Sequence, residues 1–223
     1  MSRFRMGWKH LLVLPALFAC SAAAVLYLTV GRAAAPFVGA LSMLVQPSPV
    51  SQYSGQDLMQ AVEQVEDGVI SIEDFTPPRE GDVYGRITIE NTPVYETPVL
   101  YGNAARQLNQ GVGTYTGSQL PGMGSTVLLA GHTNTAFAGI EDAEIGDLIT
   151  LETYYGVYTY RITDQRVHRY DDETAYDLSA PSENLTLYTC YPFGTLGLTE
   201  LRYFVYADYV SGPVIDHTRG GGQ

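Results

Sequence analysis

The sequence predicts an all-β domain closed as a barrel, and three observations carry that expectation. From residue 81 the apolar pattern has period two: Val83, Gly85, Ile87 and Ile89 alternate with Tyr84, Arg86, Thr88 and Glu90, as in a half-buried strand. Further runs rich in β-branched and aromatic residues follow at 94–100, 126–132, 147–153, 155–170, 185–190 and 202–210, most of them separated by turn residues. Helical periodicity is nearly absent beyond residue 81, with one short candidate at 104–110. Seven or eight strands in so compact a stretch suit a closed barrel, though the pattern alone would also allow a sandwich.

The chain before the barrel divides into three parts. Residues 1–10 carry Arg3, Arg5 and Lys9, residues 11–31 hold no charge, and Arg32 follows. About twenty helical residues at about 1.5 Å each span the roughly 30 Å of a hydrocarbon core. The basic residues in front place the N-terminus in the cytoplasm and the rest outside, so 11–31 is expected to be a single-pass transmembrane helix that acts as a signal anchor. A cleaved signal peptide is the competing reading, yet the apolar run exceeds the usual length of such segments. Residues 32–80 read as an extracellular spacer; within it Leu58, Val62 and Val65 fall at i, i+4 and i+7 and predict a short amphipathic helix ending near Gly68. Residues 81–210 form the expected barrel domain, and 211–223 a flexible tail.

Charge narrows the partners. Beyond the anchor lie all 24 acidic residues and only eight of the twelve basic ones, so residues 33–223 carry a formal charge of eight minus 24, or −16. Such a surface repels phosphate and excludes nucleic acid as a partner, while it favours protonated amines. Lysine is absent after Lys9, so the exported part offers no lysine as an isopeptide acceptor. Seventeen tyrosines invite a carbohydrate-binding reading, but Tyr158 and Tyr160 alternate along a strand, where structural use is favoured.

Three side chains at strand termini suggest chemistry. Cys190 closes the run Leu185-Thr186-Leu187-Tyr188-Thr189-Cys190 just before Tyr191-Pro192; the chain's other cysteine, Cys20, lies in the apolar N-terminal segment and does not compete for it as a disulfide partner. His132 closes 126–132 behind Gly131, and Arg202 opens the last long run, twelve residues past the cysteine. Each has a bland alternative: a buried core thiol, a hydrogen-bonded strand-end histidine, an arginine paired with Glu200. Together, a thiol nucleophile, an imidazole acid/base and a guanidinium donor are the parts acyl transfer needs. His10, His168 and His217 lack such a setting, and His168, inside a charged run, reads as solvated.

These motifs carry a family resemblance. Leu-Thr-Leu-Tyr-Thr-Cys at 185–190, Gly131-His132 followed by Thr135 and Phe137, and an arginine twelve residues after the cysteine resemble the sortase signature over residues 81–210. Thr189-Cys190-Tyr191-Pro192-Phe193 leans toward class D. The resemblance implies an eight-stranded barrel and a membrane-anchored cysteine transpeptidase, with Cys190 as nucleophile, His132 as general acid/base, Arg202 as oxyanion stabiliser and Thr189 as a substrate contact. It implies as donors exported proteins bearing a Leu-Pro-x-Thr-type C-terminal sorting signal, cut after threonine, and as acceptor an amine of a peptidoglycan precursor of the Gram-positive cell wall or of a pilin. No cofactor is expected. Some sortases bind calcium near the loop that here contains Asp171-Asp172-Glu173, but no full ligand set is visible, and a solvated loop is the better reading. Another cysteine peptidase or acyltransferase acting on wall peptides, or an inactive tethered β-domain, remains as an alternative.

Overall fold

The computed structural model describes residues 17–22, 55–60, 68–195, 197 and 199–216, in two separate units, Met1–Pro47 and Ser48–Gln223. Within the first unit residues 17–22 are helical. The rest of the expected anchor lies outside the described residues, among which no helix is long and apolar enough to cross a membrane.

The second unit is built on ten strands: β1 (Val69–Ser71), β2 (Val83–Ile89), β3 (Thr97–Tyr101), β4 (Val112–Thr114), β5 (Thr126–Ala130), β6 (Leu148–Thr153), β7 (Gly156–Arg169), β8 (Asn184–Tyr191), β9 (Leu201–Ser211) and β10 (Val214–Asp216), with one short helix α1 (Ala105–Leu108). Eight of them close a barrel in the order β2-β3-β4-β5-β8-β9-β7-β6. The β3–β4 and β5–β8 pairs are parallel and the other barrel pairs antiparallel. The barrel settles the choice that sequence pattern left open between barrel and sandwich.

Period-two alternation fills the interior. Ile149 and Leu151 from β6, Tyr158, Tyr160 and Ile162 from β7, Leu185 and Leu187 from β8, and Val205 and Ala207 from β9 are all buried in one cluster. Tyr158 and Tyr160 are therefore core residues, each with no exposed surface. β5 is buried along its whole length, as its unbroken Thr-Val-Leu-Leu-Ala run suggests for a strand covered on both faces. One expectation fails in β2: Tyr84, placed by alternation on the polar side, is fully buried and shares a 2.8 Å hydrogen bond with the Thr114 hydroxyl. A register shift between Val83 and Gly85 in the β2–β3 pairing breaks the alternation at that point.

The ends of the domain also differ from the expected limits. β1, within the expected spacer, pairs in parallel with β10, so part of the expected tail is strand up to Asp216. The expected spacer helix is represented among the described residues by a single 3-10 turn, Leu58–Gln60; positions 61–67 lie outside them.

β8 is fastened firmly at the rim from which it starts. Glu183, just before it, accepts hydrogen bonds from the Gly122 and Gly124 amides and the Tyr160 hydroxyl, while burial raises its carboxyl pKa. The opposite end of the strand carries Cys190, about 20 Å away at about 3.3 Å per residue.

Candidate active site

The thiol, the imidazole and the guanidinium arrive from three neighbouring strands. In the parallel β5–β8 ladder Ala130 stands beside Tyr188. Past the end of β5 the Gly131 amide donates to the Tyr188 carbonyl at 3.2 Å, and the Thr189 side-chain hydroxyl donates to the Gly131 carbonyl at 2.8 Å. His132 follows Ala130 by two residues, as Cys190 follows Tyr188. His132 thus follows the strand rather than closing it, and its carbonyl accepts the Phe137 amide at 3.0 Å, which folds 132–137 into a tight turn.

Gly131 has a specific reason to be glycine. A Cβ there would sit 2.5 Å from Cδ2 of Phe137, a ring with no exposed surface, so the turn that carries His132 closes only over a bare Cα. Gly131→Ala is expected to lose about 1–3 kcal/mol of stability through overpacking and to lower activity by displacing His132. A denaturant titration alongside steady-state kinetics measures both; an unchanged midpoint and unchanged kcat would contradict the packing argument.

Across β8 and β9 the pairing is antiparallel, with Cys190 opposite Arg202. Directly opposed residues project from the same face, so thiol and guanidinium are neighbours. Cys190 is a partly exposed free thiol rather than a sealed core residue. Arg202 does not pair with Glu200, which instead meets Arg169 at 3.1 Å. Its Nη1 donates to the Thr199 carbonyl at 2.8 Å, the Leu201 carbonyl at 2.8 Å and the Thr199 hydroxyl at 3.2 Å. Among the described residues Nε and Nη2 have no acceptor, so one edge of the guanidinium is anchored and the rest remains available to an oxyanion.

Electrostatics at His132 are governed by burial, which lowers its pKa below the ordinary histidine value and leaves it neutral at pH 7. A neutral imidazole can accept the thiol proton. Thr189, expected as a substrate contact, is 2 % exposed, and its hydroxyl donates to the Gly131 carbonyl, which ties β8 to the turn that carries His132. The acidic run at 171–173 also has internal duties. Asp171 pairs with Arg169 at 3.0 Å and Asp172 with His168 at 2.7 Å, and among the described residues no group of three or more His, Cys, Asp and Glu side chains could hold a metal ion.

A profile described as a sortase domain matches residues 87–210, more than half of the chain. The chain belongs to the sortase family. Sortase D of Bacillus subtilis (strain 168) is 34 % identical over 134 residues, which span 60 % of this chain and 67 % of that protein. Among solved structures, a sortase C from Clostridium perfringens, determined with the C-terminal cell wall sorting motif, superposes with a TM-score of 0.53 at 29 % identity, covering 59 % of this chain and 72 % of that one. A Clostridium perfringens Sortase D5 transpeptidase shares the fold, with a TM-score of 0.53 at 24 % identity over 59 % of this sortase and 81 % of its own chain.

Sequence reasoning missed the aromatic surround of the sortase site. Tyr188, two residues before Cys190, stacks on Phe204 with ring centroids 5.6 Å apart, and Phe204, two residues after Arg202, also meets Tyr206 at 6.0 Å and Tyr176 at 6.5 Å. The signal for Tyr188 and Phe204 was present: in a strand, residues two apart share a face, so each had to flank a candidate catalytic residue. Tyr176 carried no such signal, because it reaches this face from a loop.

Proposed function

We propose that this sortase is a membrane-anchored, class D-type cysteine transpeptidase that cleaves a Leu-Pro-x-Thr-type C-terminal sorting signal after threonine. The acyl group passes through Cys190 to an amine of a peptidoglycan precursor or a pilin. The observation that carries the reading is the register that opposes Cys190 to Arg202 across β8 and β9, with His132 two residues past Ala130, the partner of Tyr188. Similarity to Sortase D supports the class, and the sorting motif in the Clostridium perfringens sortase C structure supports the kind of donor. The uncharged segment 11–31 supports the anchor, which would hold the enzyme in the plane of membrane-borne donors and lipid-linked acceptors and so raise their effective concentration.

The chemistry follows from the site. Neutral His132 takes the proton of the Cys190 thiol as sulfur attacks the threonine carbonyl carbon, and the free N–H groups of Arg202 meet the oxygen that becomes negative. The imidazolium then protonates the departing amine, leaving a thioester on Cys190. An incoming amine repeats the sequence in reverse: it attacks the thioester, His132 accepts its proton, and the thiolate leaves and is reprotonated.

A panel of Leu-Pro-x-Thr peptides with an added amine tests the proposal. At least one peptide should be cut after threonine and ligated to the amine; hydrolysis or ligation of none of them would refute the donor class. The pH profile tests His132 separately. A histidine with a lowered pKa is neutral down to that pKa, so kcat/KM for the free enzyme should hold as pH falls through 6.5 and decline only below it. An acid limb centred above 6.5 would contradict a buried neutral base.

A further inference from the structure

His168 is not the solvated residue its charged neighbourhood suggests. Its side chain is only 17 % exposed, its Nδ1 lies 2.7 Å from Asp172 Oδ2, and its ring packs edge-on against Phe204 at 5.5 Å. Its Nε2 is buried without a hydrogen-bond partner among the described residues. Register puts it in a row with the catalytic candidates: Cys190 opposes Arg202 across β8 and β9, and Arg202 opposes His168 across β9 and β7. The three side chains therefore project from one face of the sheet.

Asp172 belongs to the connection between β7 and β8, residues 170–183, and it is immobilised from both sides. It accepts from the Thr174 amide at 2.9 Å and the Thr174 hydroxyl at 2.6 Å as well as meeting His168. These contacts, the Thr174 hydroxyl foremost and the imidazole next, hold its carboxyl pKa down at about 2, so it is ionised at neutral pH. Just beyond it the Ala175 carbonyl accepts the Tyr206 hydroxyl at 2.7 Å and Tyr176 lies over Phe204. Further along, the Thr126 hydroxyl donates to the Asp177 carbonyl, and the Ser125 hydroxyl to the Leu178 and Ala180 carbonyls. The connection thus lies along the face that carries Cys190, and the His168–Asp172 bond is, with the exposed Arg169–Asp171 pair, one of its side-chain ties to β7 near Arg202.

We infer that Asp172 and His168 form a positioning pair that fixes residues 172–176 as one wall of the acyl-donor site, so that His168 acts on substrate binding through the loop and not as an acid or base. The inference rests on the reading of Cys190 as the acyl carrier. The ring is spent on Asp172 at Nδ1, and its Nε2 has no hydrogen-bond partner among the described residues to pass a proton to, which suits a tie better than a shuttle.

The test compares His168→Phe, which keeps a ring against Phe204 but loses the bond, with His168→Asn, whose side-chain amide can put an N–H donor where Nδ1 meets Asp172. Both are made in the full chain and assayed with whichever Leu-Pro-x-Thr peptide the wild type turns over fastest. His168→Phe should raise KM by about fivefold with kcat within about twofold of wild type, and His168→Asn, which keeps the tie, should stay closer to the wild-type KM. Hydrogen exchange at the 172–176 amides, read without substrate, should quicken in His168→Phe alone. Unchanged exchange, or faster exchange with KM unchanged, would overturn the inference. A fall in kcat with a displaced acid limb would overturn it in favour of His168 as an acid/base. Absence of wild-type turnover on every peptide would count against the acyl-transfer reading and remove the role as a donor wall, while exchange would still report whether the tie exists.

Discussion

Cys190→Ala is expected to abolish turnover, by at least about 10⁴-fold, while the wild-type enzyme mixed with a cleavable Leu-Pro-x-Thr peptide gains the mass of the peptide's N-terminal part on Cys190. The size of the effect follows from the absence of a substitute. Cys20, the chain's other thiol, lies in the separate N-terminal unit, and alanine leaves no atom at position 190 that can form an acyl bond. Mass spectrometry of a rapidly quenched reaction should show the adduct, and an added amine should discharge it into a ligated product as the free enzyme mass returns. Fold should survive, because Cys190 is partly exposed near the end of β8 and its removal opens no large interior cavity. Equal cutting by Cys190→Ala, with no adduct on the wild type, would eliminate both the transpeptidase and the cysteine-peptidase readings.

The residues that made this site legible in the sequence were those whose chemistry and strand position could be read from local pattern. Cys190 and Arg202 end or open long alternating runs, and the expected limits 155–170 and 202–210 fall within a residue of β7 and β9. What was hidden was non-local or too short. β1, β4 and β10 have three residues each, too few to display a period of two. Tyr84 was misplaced because a register shift in its pairing with β3 is a property of two strands rather than one. His168 was misjudged for the same kind of reason. Arg166 and Arg169 on either side suggested solvent, whereas its cover comes from Phe204 on another strand and its partner, Asp172, from the loop beyond. Thr189 shows the converse: a residue beside the nucleophile invites a role in substrate contact, yet its inward direction on the strand commits it to the Gly131 carbonyl.

Replacing Arg202 with lysine is expected to lower kcat by about 10²-fold or more with little change in KM, and alanine should be worse. Lysine keeps the positive charge, so a site that needed only an electrostatic attraction near the thiol would tolerate it. The structure asks for more, because Arg202 divides its donors: Nη1 is spent on Thr199 and Leu201, and the remaining N–H groups have no acceptor among the described residues. A planar fork can hold one edge fixed while presenting the other, whereas a single ammonium must choose between the Thr199 carbonyl and the developing oxyanion. The ground state gains little from those free donors, so KM should move less than kcat. Near-normal turnover in Arg202→Lys would remove the oxyanion role. A lowered melting temperature in the same variant would then identify Arg202 as a tie that holds the β8–β9 connection to its own strand, acting on Thr199 rather than on the acyl group.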